Sequence, residues 1–562
     1  MKTLLLLTLG ISLSAVATLA AGPTIASPGV YNSASYALSA FPNGGIAQGS
    51  IFVVFGSGLG PSTIAYNSSL PYQTSLSGTS VSVSVGGQNV PCYMFYTSAG
   101  QVAAILPSST PTGTGTITVT YNNAASNAAP ITVVKNSLGL FTRNQQGSGP
   151  GVIQDSNSNY NALTYAFQPG ETVTFWGTGL GPISGSDATT PPSGNLPGTT
   201  VTANIGGQNA VVQYAGRSGF AGEDQINVTI PSGVSGCYVP VYMTVNGVPS
   251  NFVSISVTNS GAVCSDPNLY TSTDLQNVAA GGTLRSGGII LEQETLTITI
   301  PGFPLPLSPE EDEEGTAGFG TYTANTFLSS LGGLNTLALS QGCTVYYFSA
   351  SGFEDPIQPT GLDAGAAINV TGPNGTKQLA KQSLGQYSTT FVAPSLSLGG
   401  PAPTKFLTPG TYTLDNGTGG ADVGAFKVNL TIPQPVTWSN KSNVTTVLRT
   451  QPLPIDWTGG APSGLVYVVG ISPLAVDATN GSFTGGAEFV CVAPSSAGTL
   501  TVPAAILSAL PPSANISEDG INIGGGFIIV SSSSTVTATV PGLDVFEAGA
   551  SSGDGKIGVA FQ

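Results

Sequence analysis

The sequence predicts an all-β protein made of tandem β-sandwich domains, and three observations carry that prediction. The 562 residues include 76 Gly and 41 Pro, yet only 7% are charged. Disordered chains lack the β-branched and aromatic residues that abound here, so the composition reads as short strands joined by tight turns. Apolar residues alternate with polar ones, as at Val81, Val83 and Val85 or Val253, Ile255 and Val257, which is the period of a half-buried strand. Finally, the chain repeats itself: FGSGLGP at 55–61 returns as WGTGLGP at 176–182.

The elements follow in chain order. Residues 1–21 carry Lys2, an apolar stretch from Leu4 to about Leu13 and small residues from Ala15 to Ala21. That pattern is a secretory signal peptide with cleavage between Ala17 and Ala21. No later apolar run approaches the roughly 18 residues that span a bilayer, so the mature chain is expected to be secreted, in the extracellular space or at the cell surface.

Aligning the two heptapeptides brings four blocks into register. GIAQGSIFVVFGSGLGP at 45–61 matches AFQPGETVTFWGTGLGP at 166–182, and VSVGGQNV at 83–90 matches ANIGGQNA at 203–210. QVAAILPS at 101–108 matches QINVTIPS at 225–232, and SNAAPITVV at 126–134 matches SNFVSISVT at 250–258. These define two tandem modules, 28–135 and 136–262, each a small Greek-key sandwich punctuated by GG, NG and PSG turns. Residues 263–433 form a β-rich domain with an acidic loop, PEEDEEG at 309–315. Residues 434–562 form a C-terminal β-sandwich domain with a short helix at 503–510, PAAILSAL, opening on a proline.

Charge and composition exclude several function classes. Twelve basic against 27 acidic residues give a formal charge of −15, and no Lys/Arg cluster tracks a phosphate backbone, so nucleic acid is not an expected partner. The chain has no His, which removes the commonest general base, the commonest zinc ligand and the Ser-His-Asp triad. The expectation is a protein that is not an enzyme.

The run PGE-x-V-x-x-x-GTGLGP, then IGG, YAG-x-x-GFAG-x-DQIN-x-x-IP and VNGV-x-SN in the second module resembles the Solibacter uncharacterised C-terminal domain family. That family occurs in tandem in large secreted bacterial proteins. The first module matches the heptapeptide, GG, GQV and SN blocks but lacks the GFAGED insertion. The same motifs resemble the IPT/TIG branch of immunoglobulin-like folds, which implies immunoglobulin-like β-sandwiches. The family has no assigned activity, so the resemblance implies architecture and a secreted setting but no catalytic residues.

Each candidate site has a plainer reading beside it. The heptapeptide is a turn rather than a phosphate cradle, because Pro61 and Pro182 follow at once where a helix would have to start. Leu59 and Leu180 then plug the sandwich end. Five cysteines in an exported chain suggest disulfides. Cys237 and Cys264 are the best pair, at the ends of two adjacent antiparallel strands. Cys343 and Cys491 could form a second bridge or stay buried thiols, and Cys92 is left over as a small buried apolar group. No cofactor is expected: Asp363, Asp415 and Asp422 could converge on calcium, but solvated side chains or Asx turns on Gly-rich loops explain them better. PEEDEEG reads as a solvated loop whose carboxylates repel one another. Trp176, Trp438 and Trp457 with Tyr346 and Tyr347 could form a sugar-stacking platform or simply fill cores. GASSG at 549–553 is a chance match to a nucleophile elbow.

Two readings of function remain. The first is a non-catalytic chain for extracellular adhesion, surface assembly or ligand binding. The second is a carbohydrate-binding or carbohydrate-active protein with its site in 265–562. The partner is an extracellular protein or polysaccharide, and the chain does not span a membrane.

Overall fold

The structure is a computed structural model that describes residues 22–265, 269–298, 309–332, 342–349, 357–393, 403–461, 464–475, 483, 485–518 and 521–562. The signal-peptide expectation, on residues 1–21, lies outside them. The fold is all-β: two tandem β-sandwiches are followed by a C-terminal half built on one long sheet.

The first repeat contains β1 (Thr24–Asn32), β2 (Ile51–Ser57), β3 (Thr79–Val85), β4 (Tyr93–Thr97), β5 (Gln101–Ile105), β6 (Gly113–Tyr121) and β7 (Ala129–Val134). One sheet runs β1-β2-β5-β4 and the other β7-β6-β3. The alternating apolar rows meet between them, with Phe52, Val54, Val83, Val102, Ile117 and Val119 all buried, so period-two patterning becomes one face of each sheet turned inward.

The second repeat contains β8 (Thr172–Thr178), β9 (Val201–Ile205), β10 (Gln208–Arg217), β11 (Asp224–Thr229), β12 (Gly236–Val245) and β13 (Val253–Val257). Its strands run β8-β11-β10-β9-β12-β13. The GG pairs turn the matching hairpins of both repeats. Gly86 and Gly87 have φ of 58° and 76°, and Gly206 and Gly207 have φ of 59° and 79°, the double left-handed geometry of a two-residue hairpin.

The heptapeptides end β2 and β8 without leading into a helix, and Leu59 and Leu180 are fully buried. Their glycines serve two purposes. Gly58, Gly179 and Gly181 take positive φ, whereas a Cβ on Gly56 would stand 2.0 Å from the Thr24 carbonyl oxygen. Close approach, not only chain reversal, therefore fixes the motif.

The C-terminal half is built on one long-stranded sheet. After α1 (Ser272–Ala279) come β14 (Leu284–Ile298), β15 (Glu310–Tyr322), α2 (Ala324–Ser330), β16 (Gly342–Ser349), β17 (Ala367–Gly372), β18 (Gly375–Ser383), β19 (Gln386–Val392), β20 (Gly410–Asp415) and β21 (Lys427–Ile432). Then follow β22 (Val436–Trp438), β23 (Leu453–Gly459), β24 (Leu465–Pro473), β25 (Gly485–Pro494), β26 (Thr499–Val502), α3 (Ala504–Ala509), β27 (Gly526–Thr537) and β28 (Val545–Phe561). The short helix expected at 503–510 is α3, preceded by Pro503. The order is β16-β25-β24-β27-β28-β14-β15-β19-β18-β17-β20-β21, and β22-β23-β26 forms a separate sheet over one core. β28 pairs in parallel with β14 from Ser286↔Val545 to Ile298↔Ile557. The sheet thus runs unbroken across the boundary expected at 433/434.

The acidic segment is corrected by the fold: Glu310–Gly315 is strand, the opening of β15, not a loop. Alternation separates its carboxylates onto two faces. Glu311 turns inward, ion-paired with Lys405 at 2.7 Å and accepting a hydrogen bond from Thr295 Oγ1. Glu313 Oε2 accepts from the backbone N–H groups of Phe406 and Leu407 at 2.8 and 3.0 Å. With Glu311 ion-paired and Glu313 hydrogen-bonded inside, mutual repulsion no longer forbids an ordered strand.

Candidate functional site

A concave feature lies on the outward face of this sheet, where β25, β24, β27, β28, β14 and β15 lie side by side. It encloses about 710 Å3. Read across at one register, the row is Asp312, Glu294, Gly553, Ser531, Tyr467 and Val492. The next row is Glu314, Glu292, Ser551, Ser533 and Leu465. Strand alternation turns Ser531, Ser533, Gly549 and Ser551 outward as a floor of small residues, while Val468, Val530 and Ile528 turn into the core. Tyr467, Phe527 and Ile529 stand on one side, and Ile290 and Tyr322 on the other.

Glycine deepens the trough. A Cβ on Gly553 would stand 2.9 Å from Ile529 Cγ2 and 3.7 Å from Glu294 Cγ, and one on Gly555 would stand 2.7 Å from Leu296 Cδ2. Side chains of β14 can therefore lie across β28 and touch β27.

Glu292, Glu294, Glu488 and Glu547 line this groove, with no Lys or Arg among its lining residues. Glu292 and Glu294 each sit directly opposite another carboxylate, Glu314 and Asp312. Like charges facing one another across a ladder destabilise it, so the sheet tolerates repulsion here. The consequence is electrostatic. Glu294 is pushed up to about 7, first by loss of solvent and then by Glu292, Asp312 and Glu488. Glu488 is pushed up to about 7 by loss of solvent. Glu292, although open to water at the mouth, is raised by desolvation and by Glu314 and Asp312. Such groups can attract a cation, hydrogen-bond a hydroxyl or hold a proton near neutrality.

The residues singled out in the sequence lie elsewhere. Asp363 and Asp422 do meet, but their oxygens are taken: Lys381 pairs with Asp363 Oδ1 at 2.5 Å, Asp422 Oδ2 accepts from the Asp363 N–H at 2.9 Å, and Asp415 Oδ1 accepts from the Gly417 N–H at 2.6 Å. Among the described residues no group of three His, Cys, Asp or Glu is placed to hold a metal. Trp438 and Trp457 are cross-strand neighbours inside the core of the C-terminal half, and their indole N–H groups donate to Asn440 Oδ1 and the Ser495 carbonyl. Trp176 donates to Gln154 Oε1 at 2.8 Å in the second repeat. The five aromatics do not form one platform. Tyr347 points inward and stacks on Phe41 at 4.6 Å, while Tyr346 lies opposite Glu488 on the groove face. GASSG at 549–553 runs straight through β28.

Cys237 and Cys264 form a disulfide with Cα atoms 5.3 Å apart, and Cys343 and Cys491 form a second between directly opposed residues of β16 and β25. Cys92 is free and buried, and burial pushes its thiol up.

The sequence reading missed Glu292, Glu294, Glu488 and Glu547. A signal for two of them was present: LEQETLTI at 291–298 alternates, which puts Glu292 and Glu294 on one face. The helix α1 was also signalled, by the Thr271 and Asp274 capping box and the glycines after Ala280.

No family model matches the chain, and no curated protein matches it. Solved structures resemble it only distantly. An Escherichia coli adhesin, FdeC, is 13% identical, covering 68% of this chain and 93% of that one with a TM-score of 0.14. A Bacteroides ovatus protein of a mixed-linkage glucan utilization locus, solved with a heptasaccharide, is 14% identical, covering 75% and 86% with a TM-score of 0.15. Domains 5–6 of the S-layer protein SbsC are 16% identical, covering 42% and 100% with a TM-score of 0.17. At such scores the likeness does not carry over what those proteins bind.

Proposed function

We propose that this chain is a secreted, non-catalytic β-sandwich protein that binds an extracellular ligand in the groove of its C-terminal sheet, and that the ligand carries positive charge. The observation that carries this reading is that Glu292, Glu294 and Glu488 line a trough of about 710 Å3 with no Lys or Arg among its lining residues. Native proteins pair such groups unless something else neutralises them. Export is supported by the signal-like N-terminal sequence and by two disulfides, which persist in oxidising surroundings. Among the described residues no helix is long and apolar enough to cross a membrane. Kinship of the two repeats with the Solibacter uncharacterised C-terminal domain family belongs to the same proposal.

A polysaccharide ligand is the second reading. Tyr322 and Tyr467 beside carboxylates favour it, and the burial of Trp438 and Trp457 counts against it.

Calorimetric titration of the whole protein with spermidine, a lysine-rich peptide and neutral oligosaccharides tests both. Expected is binding of the amines that weakens at least tenfold in E294Q/E488Q. It should strengthen from pH 5 to pH 8, as Glu294 and Glu488 ionise through about 7. Neutral oligosaccharide binding lost in the same variant would establish the second reading. Binding that this variant leaves unchanged would refute the groove.

A further inference from the structure

The GFAGED segment, which distinguishes the second repeat from the first, lies against the first repeat. In repeat 1 the strands β4 and β5 are joined by the three residues Ser98–Gly100. In repeat 2 the corresponding strands β10 and β11 are joined by the six residues Ser218–Glu223. The longer turn reaches across the seam. Ala221 is buried with Ile51, Ala103 and Ile105 of the first repeat, and a Cβ on Gly222 would stand 2.7 Å from Ile51 Cγ1.

The two ends of this turn carry an ion pair, Arg217 with Asp224, whose side chains have no exposed surface. Arg217 Nη2 donates to the Gly49 carbonyl in the first repeat at 3.0 Å and to the Gly181 carbonyl at 2.6 Å. Asp224 Oδ2 accepts from the Leu180 N–H at 2.7 Å, which holds the second heptapeptide. Within that heptapeptide, Thr178 Oγ1 accepts from the Ile51 N–H at 2.8 Å and donates to the Gly222 carbonyl at 2.6 Å. Asp187 completes the seam by accepting from the N–H and hydroxyl of Ser108 at 2.6 and 2.8 Å.

We propose that Arg217–Asp224, together with the heptapeptide 176–182, is a module-to-module lock that makes the two repeats one rigid body. Position by position, the first heptapeptide has Ser57 where the second has Thr178, and Gly100 where the second has Asp224. The first copy therefore closes only its own sandwich, while the second also grips a neighbour. A buried charge pair suits this task because the Nη1 and Nη2 groups of Arg217 reach Asp224, Gly181 and Gly49 together only in one relative placement of the modules.

Hydrogen exchange on the whole protein tests it at the amides of Ile51, Ser108 and Leu180, which bond across or beside the seam. Val54 and Val102 in the first repeat, and Val173 and Val228 in the second, serve as sheet references. In R217A the three seam amides should exchange at least tenfold faster while the references keep their protection. D187N leaves the Arg217–Asp224 pair intact and covers the case in which R217A fails to fold. It should speed exchange at Ser108 and Ile51 together, because the seam opens as a unit. Unchanged seam protection in R217A, or acceleration confined to Ser108 in D187N, would overturn the lock. Equal loss at the sheet references in R217A would also overturn it, by making Arg217 a support of its own sandwich.

Discussion

The protein gathers carboxylates in two places and treats them in opposite ways. At the seam between the repeats, Asp224 and Asp187 are buried, and each has specific partners: Arg217 and the Leu180 N–H for one, Ser108 for the other. In the C-terminal groove, Glu294 and Glu488 have no Lys or Arg among the lining residues, and Glu294 faces a further carboxylate, Asp312. Burial without compensation is costly, and burial with compensation is costly to undo. The first arrangement therefore reads as architecture and the second as a place where the fold gives up stability for something it binds.

The comparison breaks most visibly at Arg217. Replacing it by methionine leaves Asp224 buried without a counter-charge, and the expected loss is about 3–5 kcal/mol in chemical denaturation. Replacing both members, R217M/D224L, should recover a large part of that loss, because two apolar side chains leave no stranded charge. A double variant as unstable as R217M would place the cost in shape rather than charge. D187N should cost less, about 1–3 kcal/mol, since it turns a charge-assisted acceptor of two Ser108 hydrogens into a neutral one.

How far the sequence foretold these two regions differs, and the reason is physical. The repeats were legible because a sandwich repeats its turn chemistry locally: GG at 86–87 and at 206–207 must take positive φ wherever it sits, and Leu59 and Leu180 keep their place behind the same glycines. The first disulfide was legible for the same reason, Cys237 and Cys264 lying near the ends of consecutive paired strands. The groove was not. It exists because β28 returns to lie parallel beside β14, and such a contact between segments some 260 residues apart leaves no local pattern. The acidic run was misread as a loop for a related reason: the partners of Glu311 and Glu313 are Lys405 and the backbone at 406–407, supplied by a distant segment.

The gentlest perturbation removes one titrating carboxyl from the groove and leaves its shape. A carboxyl whose folded pKa lies above its ordinary value of 4.5 adds stability below that value and loses it as pH rises through the folded pKa. Glu294 and Glu488, both near 7, should thus leave the protein progressively less stable between about pH 4.5 and 7. Glutamine keeps the shape and removes the titration. E294Q should therefore equal the parent near pH 4.5 and exceed it at pH 8 by about 1–2 kcal/mol, allowing for the partial exposure of the side chain. In the groove this neutralisation stabilises the unliganded protein and weakens its grip on an amine. Denaturation midpoints at pH 4.5 and pH 8 read the difference directly. A loss of stability at pH 8 would mean that Glu294 has a partner holding its charge, and the groove would then be built like the seam.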